Sequence, residues 1–502
     1  MSISSILADM EGVHNAAVMM ANDINKGILQ DAGLLTDTGL TATANDLFIA
    51  VMGESESFLI EALKTAEKLI TEKQSSDDTS IYKASTIQGA IALEPDINLA
   101  VISVPGQYAA SEAWKALNRG LHVFLFSDNV SIEDEVSLKL TARKRNLLLM
   151  GPGAGTAILN GNAIGFGNSI PSGPIGLVSA SGTGLQEVST LLARYNSGIS
   201  QAIGVGGRDL SEEVGGLMTI EALKALQNDK DTDIIILISK PPHYNTKRRV
   251  ETQVQKSDKP TIICFLGSGK ETSKSGANVT YSRSLQECAL YAAKQAGVID
   301  DEVDQILFKE NLQLKLLAEQ IKNTQSRLSG DIRGLFSGGT LCYEALSIWR
   351  DIGLPDLFSN LSLEGINALP NPNISIRNCA VDLGEEEFTI GRPHPMINYE
   401  LRNRRLLQEM QDPDVRVIML DVVLGFGAHP DPASELAKGI ERANNIAQRS
   451  SDDITIVASV TGTDNDPQSY RRSVSILENS GAVLCDSNAS AAKLSALLVS
   501  GK

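Results

Sequence analysis

A glycine-rich turn between a strand and a helix is the first part of the sequence whose residue types could do chemistry. Ile175–Val178 is a short apolar run typical of a strand buried on both faces, and apolar residues recur at helical spacing from Leu185 onward. Ser181, Gly182 and Thr183 therefore lie at a helix N-terminus, where unpaired backbone N–H groups meet the positive end of the helix dipole. The turn is a candidate anion cradle, and a capped turn that binds nothing is the alternative.

Other glycine turns repeat this arrangement. The next strand ends in Gly206 and Gly207, followed by Arg208, whose guanidinium could hold an anion or form an ion pair with a neighbouring loop. Two more turns, Gly338–Thr340 and Gly425–Gly427, precede predicted helices. The candidate anion-binding residues are Ser181, Gly182, Thr183, Gly206, Gly207, Gly338, Gly339, Thr340, Gly425 and Gly427.

The loop from Thr389 to Met396 carries a histidine bracketed by two prolines, which restrict the backbone on either side. Arg392 could hold a carboxylate or phosphate through two parallel hydrogen bonds, and the imidazole of His394 could transfer a proton near neutral pH. We take His394, Arg392 and Arg208 as candidate catalytic residues, with a purely structural loop as the alternative. No residues with metal-ligand spacing occur, so we expect no metal site.

Charge and composition exclude several classes of function. The chain has 502 residues and a net charge of −17, which argues against binding to nucleic acids or anionic membranes. We find no signal peptide and no run of the roughly 18 apolar residues that a membrane span requires. The five cysteines are widely separated. They favour free thiols in a reducing compartment, so we expect a cytoplasmic protein.

The alternation of strands and helices predicts an α/β fold with several domains. Their near-continuously apolar strands indicate parallel sheets. We predict a small α/β module at 1–75, a truncated Rossmann-like domain of the CoA-binding type at 81–170, and two flavodoxin-like domains at 171–325 and 331–502.

The second flavodoxin-like domain looks like a repeat of the first. The segment that begins at Ile332 echoes the one that begins at Ile175, and the later strands agree in order. The duplication predicts two similar domains whose glycine turns, Ser181–Thr183 and Gly338–Thr340, face each other across one cleft.

Several motifs occur in the order in which they are found in succinyl-CoA synthetase. Residues 85–300 resemble its α subunit, through Val104–Tyr108, Gly151–Gly153, Ile175–Thr183, Ile203–Gly207 and Lys259–Pro260. Residues 378–500 resemble the CoA-ligase domain of its β subunit, through Asp382–Gly384, Gly425–Gly427, Thr461–Thr463 and Ser480–Gly481. The whole chain, with its loop 391–396, is similar to the FdrA family of acyl-CoA-synthetase-like proteins.

The resemblance to the synthetase implies a role for the two facing turns. In that enzyme, helix N-termini from two ligase domains grip the phosphate of a phosphohistidine. Here the segment Phe265–Asn278 takes the place of that histidine and contains none. The first glycine-rich CoA loop and an ATP-grasp domain are also missing. We therefore assign no cofactor and expect CoA to bind weakly or not at all.

The FdrA family is associated with an oxamate carbamoyltransferase complex of anaerobic allantoin and purine breakdown. That complex converts oxalurate and phosphate into carbamoyl phosphate and oxamate, and it works with separate partner subunits. The resemblance implies a carbamoyltransferase subunit that binds small anions (phosphate, oxalurate, oxamate or an acyl group), forms homo-oligomers and assembles with other subunits. The alternatives are an acid–thiol ligase that uses CoA and a non-catalytic scaffold subunit.

Overall fold

The computed structural model describes residues 3–8, 10–21, 23–43, 46–71, 84–267, 278–324, 329–389, 392–447 and 454–500. The chain divides into two compact units, Met1–Thr86 and Ile87–Lys502. Residues 268–277, which hold most of the segment compared with the phosphohistidine loop, lie outside the described residues. Within the described ranges, every helix is too short or too polar to span a bilayer.

The first unit contains an antiparallel pair of strands with helices packed on it. Strand β1 (Val13–Met20) pairs with β2 (Leu47–Gly53), and Met20 lies opposite Leu47. Its helices are α1 (Ile3–Ala8), α2 (Asp23–Asp31), α3 (Asp37–Leu40) and α4 (Glu56–Thr71). Helix α4 turns Ala62 and Ala66 inward against Leu7. This unit is the small α/β module that the sequence predicts.

The second unit begins with a three-stranded parallel sheet of order β3-β4-β5. The elements alternate along the chain as α5 (Ile87–Leu93), β3 (Leu99–Ile102), α6 (Gly106–Asn118), β4 (His122–Leu125), α7 (Ile132–Lys144) and β5 (Leu149–Met150). Ser131 caps α7 by accepting a hydrogen bond from the N–H of Asp134, and three acidic residues fill the first turn. The result is a short Rossmann-like domain.

A seven-stranded sheet of order β12-β11-β10-β8-β9-β6-β7 follows. Its strands are β6 (Thr156–Leu159), β7 (Asn162–Gly165), β8 (Ser172–Ser179), β9 (Ile199–Gly204), β10 (Ile234–Ser239), β11 (Thr261–Phe265) and β12 (Val279–Tyr281). Its helices are α8 (Gly182–Arg194), α9 (Leu217–Asn228), α10 (Tyr244–Val254) and α11 (Leu285–Gln295). Strands β8 to β12 are parallel and have the 2-1-3-4-5 order of flavodoxin-like sheets.

After the long helix α12 (Val303–Thr324), a second seven-stranded sheet has the order β15-β14-β16-β13-β17-β18-β19. Its strands are β13 (Asp331–Phe336), β14 (Leu357–Ser359), β15 (Asn367–Ala368), β16 (Asn378–Asp382), β17 (Val415–Val423), β18 (Thr455–Thr461) and β19 (Val483–Cys485). Its helices are α13 (Gly339–Ile352), α14 (Glu386–Thr389), α15 (Glu400–Gln411), α16 (Pro432–Ala447), α17 (Tyr470–Asn479) and α18 (Asn488–Val499). Five of its strands repeat the 2-1-3-4-5 order, and β14 and β15 extend the edge beyond β16.

The predicted fold class and the predicted duplication are confirmed, with one difference in the course of the chain. Strands β6 and β7 precede residue 171 but belong to the first seven-stranded sheet. Strand β6 runs antiparallel to β9, with Ile158 opposite Ala202. The hairpin therefore pairs an edge of β9 that would otherwise be open to other chains.

The two flavodoxin-like domains share one hydrophobic core. Helices α8 and α11 of the first domain pack against α13 and α18 of the second, and their apolar faces merge into a single buried cluster. In each domain these are the first and last helices of the repeat. Buried side chains in the shared core include Leu192, Cys288, Trp349 and Leu494.

A reciprocal pair of buried carboxylates fixes this packing. Glu187 of α8 accepts from the backbone N–H of Asn488, at the start of α18, at 3.0 Å. Glu344 of α13 accepts from the N–H of Leu285, at the start of α11, at 2.7 Å. Each repeat thus caps the last helix of the other, and the carboxylate favours the positive helix end.

We expect Glu344→Gln to weaken the pH dependence of stability. Burial raises the pKa of Glu344 from 4.5 to about 7, so the folded chain holds this proton more tightly than the unfolded chain. As the pH rises between these two pKa values, the free energy of unfolding of the wild type falls by at most roughly 1.4 kcal/mol per pH unit, because unfolding releases this proton. Glutamine carries no charge and removes this loss, which calorimetric melting between about pH 5 and about pH 8 measures.

The matched control is Glu319→Gln, which removes a carboxylate from the exposed face of α12. Its melting temperature should follow that of the wild type at every pH. If Glu344→Gln also followed the wild type, Glu344 would not be the group that titrates.

Candidate functional site

The N-termini of α8 and α13 meet inside the second unit. Ser181 Oγ and Thr340 Oγ1 lie 2.5 Å apart in a buried hydrogen bond. The same pair of positions with the two repeats exchanged, Thr183 and Gly338, is also in contact. A β-carbon built on Gly338 would be 2.9 Å from Cγ2 of Thr183. The two glycine turns face each other as predicted, but these residues touch directly instead of lying on opposite sides of a cleft.

Buried hydrogen bonds hold each turn in place. Ser181 Oγ accepts from the N–H of Gly184 at 2.9 Å. In the second turn, Asp421 accepts from the N–H groups of Ser337 and Gly338, both at 2.8 Å. Arg402 Nη2 pairs with the same carboxylate at 2.9 Å, so the charge of Asp421 is balanced. Both turns are thus fixed without a ligand.

Among the described residues, the first two N–H groups of each helix have no hydrogen-bond acceptor. Gly182, Thr183, Gly339 and Thr340 have no intrahelical acceptor, because they occupy the first turns of their helices. Gly182, Thr183 and Gly339 are also partly exposed. Two positive helix ends that open at one place would attract an anion.

Asp382, the last residue of β16, lies against this contact. Its Oδ1 accepts from the N–H of Gly384 at 2.9 Å. Its Oδ2 faces Gly339, where a β-carbon would collide with it, so the site requires glycine there. The residue is 3% exposed, and burial together with the nearby Glu385 raises the pKa of Asp382 to about 7. This carboxyl group therefore exchanges a proton near neutral pH.

His394 lies beside Asp382 and packs on an aromatic ring. A β-carbon on Gly384 would be 2.7 Å from its Nε2, and its ring centroid lies 5.6 Å from that of Phe166. Its Nδ1 accepts from the N–H of Met396 at 3.2 Å, so the neutral ring carries its hydrogen on Nε2. Burial, together with the charge of Arg402, lowers the pKa of His394 to about 4. At neutral pH His394 is therefore an uncharged Nε2–H donor rather than a base.

Lys240 supplies a positive charge at the same place. It directly follows β10, and its Nζ lies 5.5 Å from the ring centroid of Tyr343 on α13. Lys240 is partly buried and makes no ion pair with a described residue, and its charge acts on Asp382. We call Ser181–Thr183, Gly338–Thr340, Lys240, Asp382 and His394 the junction site.

The other two candidate catalytic residues lie outside this group of contacts. Arg392 is exposed, and its guanidinium makes no hydrogen bond or ion pair with a described residue. Arg208 Nη2 pairs with Glu135 at 2.9 Å and donates to the carbonyl of Val130 at 2.7 Å. The ion-pair alternative therefore applies to Arg208, with a partner on α7.

The remaining candidate glycines divide between two places. The Gly206–Gly207 turn borders the junction site, since a β-carbon on Gly207 would be 3.9 Å from the carbonyl oxygen of Ala180. The Gly425–Gly427 turn packs on the end of β7 instead, and Phe426 donates its N–H to the carbonyl of Gly167 at 2.9 Å.

Sequence reasoning missed Lys240 and Asp382 as site residues. Each is a charged residue at the carboxyl end of an otherwise apolar parallel strand, the edge at which α/β sheets bind ligands. This pattern is present in the sequence. It indicates a site near the α8 turn only when the strand order, with β10 next to β8, is known.

A surface depression of about 560 Å³ between α7, α9 and α10 includes none of the junction residues. Most of its charged residues are exposed cations, and Lys224 is neutralised by Glu221 at 2.8 Å. It is lined by Arg143, Asn146, Ile220, Glu221, Lys224, Arg249, Thr252, Gln253 and Lys256. No strand end or helix N-terminus supplies polar groups to it, so we do not place the chemistry there.

Models of known families match three parts of the chain. A CoA-ligase model matches residues 335–498, and a CoA binding domain model matches residues 172–267. A model described as AllF, heavy metal-associated domain, matches residues 1–86. The CoA-binding match falls on the first flavodoxin-like domain, whereas sequence reasoning placed a CoA-binding-type domain at 81–170.

Relatives agree with these matches. The uncharacterized protein YahF of Escherichia coli (strain K12) is 42% identical over 494 residues, which cover 97% of this chain and 93% of YahF. The chain belongs to the YahF family. The alpha 1 subunit of ADP-forming succinate–CoA ligase from Archaeoglobus fulgidus is 25% identical over 233 residues, 45% of this chain and 78% of that subunit.

Among solved structures, the dinucleotide forming acetyl-coenzyme A synthetase 1 of Ca. Korarchaeum cryptofilum, in complex with phosphate and ADP, is 17% identical with a TM-score of 0.29. The match covers 80% of this chain and 82% of that one. The domain matches and the ligase subunits make this member of the YahF family acyl-CoA synthetase-like.

The residues of the first unit do not fit the metal that its family description implies. Residues 1–86 contain no cysteine, and their single histidine, His14, is exposed on β1. Across the described part of the chain, no three His, Cys, Asp or Glu side chains are grouped so as to hold a metal ion. We therefore derive no metal chemistry for this member of the YahF family.

We expect Lys240→Gln to weaken phosphate binding by about 10-fold or more, because it removes a cation beside two helix N-termini. The matched control is Lys315→Gln, which removes an exposed lysine of α12. Isothermal titration with inorganic phosphate measures both. Equal affinities for the two variants would remove Lys240 from the anion site.

Proposed function

We propose that the chain is a subunit of a phosphate-dependent carbamoyltransferase of the oxalurate and oxamate type, in anaerobic allantoin and purine breakdown. Membership of the FdrA family, which the motifs of the sequence suggest, is part of this proposal. So are the partner subunits, the homo-oligomer and the small anionic substrates. The observation that carries the proposal is the meeting of two unpaired helix N-termini beside Lys240, an arrangement suited to phosphate.

The junction site contains groups for each part of this reaction. An oxygen of phosphate would attack the ureido carbonyl carbon of oxalurate, and the bond from that carbon to the oxamate nitrogen would break. The proton lost by phosphate would pass to that nitrogen, so atoms and charge balance. The Nε2–H of His394 is suited to donate to the carbonyl oxygen as negative charge develops on it. Asp382, which titrates near neutral pH, is suited to carry the proton.

The two arginines keep different roles in this proposal. Arg392 is exposed and unpaired within the described residues, so its guanidinium is free to bind the carboxylate of oxalurate or oxamate. Arg208 is tied to Glu135, so we assign it to the support of the adjacent Gly206–Gly207 turn.

An acid–thiol ligase that uses CoA is the second candidate. The matches to the CoA-ligase and CoA-binding models and to succinate–CoA ligase alpha subunits favour this reading at the level of the class. Such an enzyme of the synthetase type requires a phosphorylated histidine, and the segment Phe265–Asn278 contains none. The ligase would transfer an acyl group to CoA, whereas the carbamoyltransferase would transfer a carbamoyl group between phosphate and oxamate.

One set of assays separates these functions from a scaffold. The chain, alone and co-expressed with the products of neighbouring genes, is tested for carbamoyl transfer from carbamoyl phosphate to oxamate. In parallel it is tested for succinate-dependent CoA thioester formation with ATP. We expect the first reaction, together with binding of phosphate but not CoA. Thioester formation would replace the proposal by the ligase, and the absence of both reactions and of phosphate binding would favour the scaffold.

We expect His394→Gln to keep carbamoyl transfer within about 10-fold of the wild type, because glutamine also offers an N–H donor. His394→Ala should lower turnover by about 10²- to 10³-fold, the usual effect of losing one donor to a developing oxyanion. Steady-state rates measure both. Equal, large losses for the two variants would contradict the donor role, because glutamine would then fail to replace the Nε2–H of His394.

A further inference from the structure

Asp382 is 3% exposed, and its carboxylate oxygen Oδ2 has no hydrogen-bond donor among the described residues. Its Oδ1 is used by the N–H of Gly384, and its backbone is held by Asn360, which accepts from the N–H at 2.9 Å and donates to the carbonyl at 3.0 Å. The orientation of the carboxyl group is thus fixed. Its Oδ2 is directed at the N-terminus of α13, beside Gly339. An acceptor without a donor from the protein can take a hydrogen bond from a ligand, so a ligand that brings a donor gains affinity here.

The groups around Asp382 carry charges of both signs. Lys240 and the helix ends are positive, whereas the negative charge of Glu385 acts on Asp382 and raises its pKa. Asp421 also acts on it, but that carboxylate is fully occupied by two N–H groups and Arg402. The neighbouring His394 is uncharged at neutral pH, and the Cys342 thiol on α13 is buried, which raises its pKa well above the usual value.

We infer that Asp382 Oδ2 is a specificity element that accepts a hydrogen bond from the amino group of a carbamoyl ligand whose phosphate lies at the two helix N-termini. The inference rests on the proposed function and names the substrate class that the junction site selects. An acyl group that carries carbon in place of nitrogen offers no donor to this oxygen. The site would therefore favour carbamoyl groups over acetyl or succinyl groups.

Carbamoyl phosphate and acetyl phosphate form a matched pair of probes, because they differ only in an amino group against a methyl group of similar size. Their phosphates would make the same contacts with the helix ends and with Lys240. Any difference in affinity therefore reports on the groups that face the amino or methyl position. Discrimination of this kind is large when a site is built around a donor that the wrong ligand lacks.

The experiment is titration calorimetry of the full chain with each ligand at about pH 8, where Asp382 is mostly ionised. We expect carbamoyl phosphate to bind roughly 10- to 100-fold more tightly than acetyl phosphate, the value of one hydrogen bond to a charged group. The ratio should shrink toward about pH 6, because protonation turns Oδ2 into a donor. Inorganic phosphate as a competitor checks that both ligands occupy the anion site.

Asp382→Asn tests the residue itself. Asparagine keeps an oxygen for the N–H of Gly384 and places an amide N–H₂ where Oδ2 was, so two donors would face each other. We expect the preference for carbamoyl phosphate to fall to about 3-fold or less. Glu364→Gln, which removes a charge from an exposed residue, is the control and should keep the full preference.

The outcomes separate this inference from the proposed function. Equal binding of the two ligands by the wild type overturns the inference and leaves phosphate binding standing. A full preference in a folded Asp382→Asn variant assigns the discrimination to another group and also overturns it. Binding of neither ligand and no binding of phosphate overturns the proposed function and this inference together. The wild-type comparison decides the question even if the variant does not fold.

Discussion

The mutual capping of the two flavodoxin-like domains is the interaction on which the rest of the second unit depends. Glu187 accepts a hydrogen bond from the first turn of α18, and Glu344 accepts one from the first turn of α11. In each domain, the N-terminus of the last helix is therefore capped by a residue of the other domain. The two glutamates occupy equivalent positions in the two repeats, and each caps a helix of the other repeat. Because the bonds are buried, a shift between the domains would leave carboxylates and N–H groups without partners. The exchange therefore holds α8 and α13 in a single relative position.

That fixed position has an electrostatic consequence. Two helix N-termini in contact place two positive dipole ends side by side, which is unfavourable unless negative charge lies close by. Asp421 supplies such a charge beneath the second turn, where it binds Ser337 and Gly338. Asp382 is a second acidic residue at this turn, since its Oδ2 faces Gly339, and burial raises its pKa to about 7. Acidic side chains of the chain itself thus lie beside the helix ends.

The sequence predicts the architecture better than the chemistry. Apolar strands, the repeat and the glycine turns are local patterns, and they place Ser181–Thr183 opposite Gly338–Thr340 correctly. The state of His394 depends on packing against Phe166 and on a bond from Met396, which no local pattern reveals. Proline-bracketed loops suggest a reactive histidine, yet burial lowers its pKa to about 4. Likewise Arg208 meets Glu135 on α7 only after the Rossmann-like domain has docked.

The two repeats contribute residues of different charge to the junction site, so the site is electrostatically asymmetric. Ser179 and Phe336 are repeat-related, so their strand partners, Gly204 and Asp382, occupy equivalent positions. By the same register, Asp421 replaces an isoleucine of β10, while the position of Lys240 is held by a valine in β17. The first domain therefore contributes the cation and the second contributes the carboxyl groups. A symmetric pair of helix ends would bind an anion in either orientation, whereas this distribution favours one: the most negative end of a ligand toward Lys240 and its hydrogen-bond donors toward Asp382. The two halves of the duplicated scaffold would therefore present different charges to the two ends of a small molecule bound at the junction.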